Sequence, residues 1–132
     1  MYYMEKIIKG KYEAVLKASI TALKGEGFGV LTEIDVPKTL KKKLNVDFRP
    51  YTILGACNPP LAHEALKAES QIGILLPCNV VVQEDPKGRG ISVSAVNPVE
   101  AMSSVKNEDL ACVAGEVTER LKRVLAALPD RI

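Results

Sequence analysis

Tryptophan is absent from the sequence, and four tyrosines and two phenylalanines bring the aromatic share to only 5%. The core therefore has to be built from Val, Leu, Ile and Ala. Histidine is limited to His63 and cysteine to Cys57, Cys78 and Cys112. No Cys-x-x-Cys spacing occurs, and a closed zinc site normally needs four Cys, His or carboxylate ligands, so no metal site is expected. An odd number of cysteines suits reduced thiols better than a disulfide framework. No apolar run approaches the roughly 18 to 20 residues that span a bilayer. The start, Met1-Tyr2-Tyr3-Met4-Glu5-Lys6, lacks a basic region followed by an apolar one. These absences together lead us to expect a cytoplasmic protein with no membrane partner. Charge of one sign is also missing: the net charge is +2, too small to imply nucleic acid. The one dense basic run, Lys41-Lys42-Lys43 with Lys38 nearby, reads as a solvated helix face.

What is present is an ordinary globular composition, 47% apolar and 26% charged over 132 residues. That length suits a single domain, residues 1–132, able to bury a core without a metal or disulfide staple. Residues 2–8 read as a short strand of poor alternation. Tyr12, Val15, Leu16, Ile20 and Leu23 recur at helical spacing between Lys11 and Glu26. From Phe28 to Asp35 the period becomes two, which places Phe28, Val30, Thr32 and Ile34 on one strand face and Leu31, Glu33 and Asp35 on the other. Val36-Pro37 opens a short helix carrying Leu40 and Leu44.

Tyr51 to Cys57 is the next strand. Asn58-Pro59-Pro60 starts a helix, with Asn58 at the N-cap and Leu61, Ala62, Ala65 and Leu66 turned inward. Gly73 to Glu84 reads as a strand with Ile74, Leu76, Cys78, Val80 and Val82 in register. The turn Asp85-Pro86-Lys87-Gly88 joins it to Ile91, Val93 and Ala95 in an antiparallel hairpin. Asn97-Pro98 repeats the cap-and-proline start. A last helix from Asn107 carries the stripe Leu110, Val113, Ala114, Val117, Leu121, Val124, Leu125 and Leu128. This order predicts an α+β fold: a mainly antiparallel sheet with the long first and last helices packed on one face.

Three segments in this order carry a resemblance: Glu26-Gly27-Phe28-Gly29-Val30-Leu31-Thr32-Glu33-Ile34-Asp35, Gly55-Ala56-Cys57-Asn58-Pro59-Pro60-Leu61-Ala62 and Leu75-Leu76-Pro77-Cys78-Asn79-Val80-Val81-Val82. They resemble the DUF302 family, a domain of unknown function, over nearly the whole chain. The resemblance implies a TATA-binding-protein-like fold, in which a curved antiparallel sheet is backed by helices. It implies no activity, because function lives in sites rather than in folds.

The candidate site gathers around Cys57 and Cys78, each followed by an asparagine, Asn58 and Asn79. Cys57 ends a strand directly before a helix N-terminus, where unpaired N–H groups and the helix dipole favour a thiolate. Against this, free cysteine is among the most buried residue types and behaves as a small hydrophobe, and Cys78 alternates with Leu76 and Val80 as a core residue does. His63 lies off the apolar stripe of its helix, either on the surface or lining a groove near Cys57. Glu33 shares a strand face with Asp35 and either helps a polar pocket or is simply solvated. Cys112 points away from the apolar stripe of the last helix. No phosphate-cradling glycine loop and no catalytic constellation is recognisable, and no cofactor is assigned. Two readings stand side by side. One is a small-ligand or redox binding module with a groove near Cys57 and Cys78. The other is a non-enzymatic interaction protein working as a homodimer.

Overall fold

A computed structural model describes the whole chain, Met1–Ile132. In order, the elements are β1 (Tyr3–Ile8), α1 (Tyr12–Gly25), β2 (Gly29–Asp35), α2 (Val36–Leu44), β3 (Tyr51–Cys57), α3 (Pro59–Ala68), a single 3-10 turn (Ile72–Leu75), β4 (Cys78–Glu84), β5 (Ile91–Val96), α4 (Pro98–Ala101) and α5 (Glu108–Ala127). The five strands form one sheet in the order β1-β5-β4-β3-β2. Every neighbouring pair runs antiparallel. The fold is α+β, as the element order predicts.

Alternation decides which face is covered. Leu54 and Ala56 of β3, Val80 and Val82 of β4, and Val93 and Ala95 of β5 point to one side. There they pack with Val15 and Leu23 of α1 and with Leu121 and Val124 of α5. All ten are aliphatic, as the shortage of aromatics requires. The opposite face carries Glu5, Tyr51, Asn79, Val81, Gln83 and Ser94, which line an open trough.

Three expectations need correction. The alternation expected through Phe28, Val30, Thr32 and Ile34 breaks at a β-bulge. Val30 pairs with Ala56 and Thr32 with Gly55, leaving Leu31 as the extra residue. Beyond a bulge the two faces exchange. Glu33 and Asp35 therefore share the helix-covered side with their partners Leu54 and Thr52, while Thr32 and Ile34 turn to the open side.

The strand expected from Gly73 begins only at Cys78. Pro77 has no N–H to give to a ladder, and the chain before it is wound into the 3-10 turn, leaving Ile74 80% exposed. The third correction concerns Asn97. Pro98 does take the first helical position, but Asn97 makes no capping bond, and its Oδ1 is buried without a partner. The caps at Asp35, Asn58 and Asn107 form, whereas Lys11 before α1 makes none. Asp35 accepts from the Lys38 N–H at 3.0 Å and Asn107 from the Leu110 N–H at 3.1 Å. No helix is long and apolar enough to cross a membrane.

Candidate functional site

Strand β3 ends at Cys57, and the chain turns at Asn58 into α3. Asn58 fixes that turn with both ends of its side chain. Its Oδ1 accepts from the Leu61 N–H at 3.4 Å, and its Nδ2 donates to the Glu26 carbonyl at 3.3 Å. Pro59 at the start of α3 loses nothing, because the first helical N–H groups have no intrahelical partner. One strand over, β4 opens at Cys78, directly across from Ala56.

Helix α3 leaves the end of the interior strand β3 at this point and runs beside α5. A cavity of about 340 Å³ remains between them. Leu61, Ala62, Ala65 and Leu66 wall it from α3, and Val113 and Val117 from α5. Ala56, Cys57 and Cys78 bring the ends of β3 and β4 to it, and the bulged Leu31 reaches it from β2. No charged side chain lines it. Of the α3 residues expected to be buried, only Ala65 is; Leu66 at the rim is 47% exposed and Leu31 68%. Three alanines, Ala56, Ala62 and Ala65, are among its lining.

Residues 4–128 match the family model described as "Domain of unknown function DUF302". The chain belongs to the DUF302 family. A crystal structure of an uncharacterized conserved DUF302 protein from Bacillus stearothermophilus superposes with a TM-score of 0.87 at 28% identity, over 96% of this chain and 97% of that one. No curated protein matches the sequence.

In this DUF302 chain the six candidate residues divide among four surroundings. Cys57, Asn58 and Cys78 meet at the cavity. Asn79, the next residue of β4, is exposed on the open face and lines the trough there. Glu33 borders a separate polar cleft with Tyr12 and Asp35. His63 is exposed on α3 and lies outside the cavity lining.

The two thiols are not equivalent. Cys78 is buried among core side chains. Burial first, and the neighbouring Cys57 second, push its thiol up to about 11, so it stays protonated at neutral pH. Ala56 is the cross-strand partner of Cys78, and Cys57, the residue after Ala56, lines the same cavity half-exposed. Cys112 is exposed on α5. Sequence reasoning assigned Leu61, Ala62, Ala65, Val113 and Val117 to core packing and so missed them as cavity walls. The readable signal was the pair Ala62 and Ala65 between the leucines on the inward side of α3.

Proposed function

We propose that this DUF302 protein is a small-molecule binding module whose site is the cavity between α3, α5 and the ends of β3 and β4. The observation that carries this is an apolar hollow at a strand-to-helix junction, with a volume inside the range of about 300–1,000 Å³ usual for ligand sites. The redox version of the reading has less support, because Cys78 is buried and held as the thiol. The three free cysteines fit a reducing, cytoplasmic setting. The test is titration with the uncharged fluorophore N-phenyl-naphthylamine. Saturable one-to-one binding is expected, and it should be abolished in Ala62→Trp, which fills the hollow. Absence of saturable binding, or binding indifferent to Ala62→Trp, rejects the site.

A second reading, self-association as a homodimer, is favoured by a separate observation. The chain exposes 7828 Å², whereas a 14.3 kDa monomer exposes about 6,800 Å². The excess of about 1,000 Å² compares with the roughly 800 Å² that each partner buries in a standard interface. Helix α2 has no buried residue, and a nine-residue helix is marginal without packing. Leu44, 66% exposed, continues into Val46 and Phe48 as an apolar arm. The neighbouring edge strand β2 is blunted by its bulge and its acidic residues, so the arm, not strand extension, is the contact for a second copy. Sedimentation should show a dimer that Leu44→Lys dissociates. A wild-type monomer at high concentration ends this reading.

A further inference from the structure

We infer that the cavity selects an uncharged, compact apolar ligand, of about two fused rings, and rejects organic anions and cations of the same shape. The inference rests on the binding-module reading and names the ligand class for that site.

Size comes first. The hollow, about 340 Å³, is roughly twice the ~150 Å³ cavity known to hold benzene. That excludes long-chain lipids from full enclosure and leaves room for a bicyclic ring system with a small substituent.

Charge comes second. A buried ion needs an opposite charge or several hydrogen bonds. The lining has neither Lys, Arg, Asp nor Glu. Asn58 has committed its Oδ1 to the cap of α3 and its Nδ2 to the Glu26 carbonyl. The nearby Arg120 is likewise engaged, with the Glu26 carbonyl and the Glu116 carboxylate. Only Thr32 and the thiols remain as polar lining, enough for one hydroxyl of a ligand but not for a carboxylate. Phe28 is the single aromatic in the wall, too little for an ammonium cage.

The mouth comes third. The bulged Leu31 and Leu66 both stand at the rim, 68% and 47% exposed. A neutral apolar occupant gains by covering them, whereas a hydrated ion would have to shed water against them.

Three naphthalene derivatives of matched shape provide the experiment, each titrated into the full chain by calorimetry at pH 7: the methanol, the carboxylate and the methylammonium. The alcohol is expected to bind at least about fivefold more tightly than either ion. Lowering the pH towards the ligand's own carboxyl pKa, about 4 to 5, is expected to restore binding of the acid. In Leu31→Lys, a rim substitution that leaves the core intact, the carboxylate should gain on the alcohol because a cation is now supplied. A carboxylate or ammonium that binds within about fivefold of the alcohol overturns the selectivity while leaving the site standing. If none of the three binds, the binding-module reading itself falls.

Discussion

Two single residues sit at tight points beside β3 and β4, and each gives a measurable consequence. Gly55 sits in β3 where a Cβ would lie 2.1 Å from Thr32 Oγ1 and 2.9 Å from Pro77 Cγ. The bulge and the entry to β4 thus close on the space a side chain would fill. Gly55→Ala is expected to cost about 1–3 kcal/mol by overpacking. Adding Thr32→Ala should recover part of that loss and make the pair non-additive in denaturant melts. Additive losses would show that Thr32 is not the obstacle.

Asp85 works at the other end of β4. Its carboxylate accepts from the Arg89 backbone N–H at 3.0 Å and from Arg89 Nε at 2.7 Å, folding the hairpin turn onto one charge. The Arg89 guanidinium holds its carboxyl down at about 2, from an ordinary 3.8, against the opposing effect of burial. A depressed folded-state pKa means stabilisation that is present above the unfolded value and lost as pH falls through the folded one. Asp85→Asn should therefore melt lower than wild type at pH 7, with the gap closing between 3.8 and about 2. A gap that persists unchanged at the acid end would assign the effect to shape and not to charge.

At the scale of elements, Asn58 joins fold and site, since its side chain starts α3 and so sets the cavity's outer wall. Asn58→Ala is expected to lower stability by roughly 1–2 kcal/mol, from the lost cap and the lost bond to Glu26. Asn58→Asp, which keeps the cap acceptor, should recover part of it. The same measurements on the probe-bound protein should show weaker binding in Asn58→Ala as the wall loosens. Unchanged affinity would detach the cap from the site.

This cap was legible in the sequence because its mechanism is local: Asn, then Pro, then an apolar helix stripe. The stripe of α5 and the β4–β5 hairpin were legible for the same reason. The bulge at Leu31 was not, because an extra residue in one strand is defined only by its partner strand, and β3 begins twenty residues after Leu31, at Tyr51. The false start of β4 at Gly73 came from an apolar run, Ile74-Leu75-Leu76, whose periodicity cannot tell a strand from a winding turn. The cavity was only half legible. Cys57, Asn58 and Cys78 were found from their positions at element ends. The emptiness between α3 and α5 depends on how far two distant helices stand apart, and no spacing within either one records that.

For the molecule as a whole, the question is whether the sheet core and the smaller cluster beside it melt together. Two apolar clusters exist. The main one lies under the sheet, and a smaller one joins Ala65, Ile72, Met102, Leu110 and Ala114 beneath α3 and α4. Helix α5 belongs to both, through Leu121 and Val124 in the first and Leu110 and Ala114 in the second. A continuous twenty-residue helix transmits the loss of either cluster to the other, since unwinding one half exposes the apolar stripe of the next turn. We therefore expect one cooperative unit. Leu121 and Leu110 are almost fully buried, and truncating either to Ala should cost about 2–5 kcal/mol. Each variant should shift the denaturant midpoint with the slope unchanged, and tyrosine fluorescence should coincide with far-ultraviolet circular dichroism. Tyr12 reports on the main core, where its hydroxyl donates to the Val82 carbonyl at 2.8 Å, so the fluorescence follows the sheet while the dichroism follows all the helices. If Leu110→Ala alone separated the two signals, the smaller cluster would be melting independently, and a ligand in the cavity, whose buried wall is mostly Phe28, Ala56, Cys78 and Val117 of the main cluster, would still raise the midpoint of the sheet.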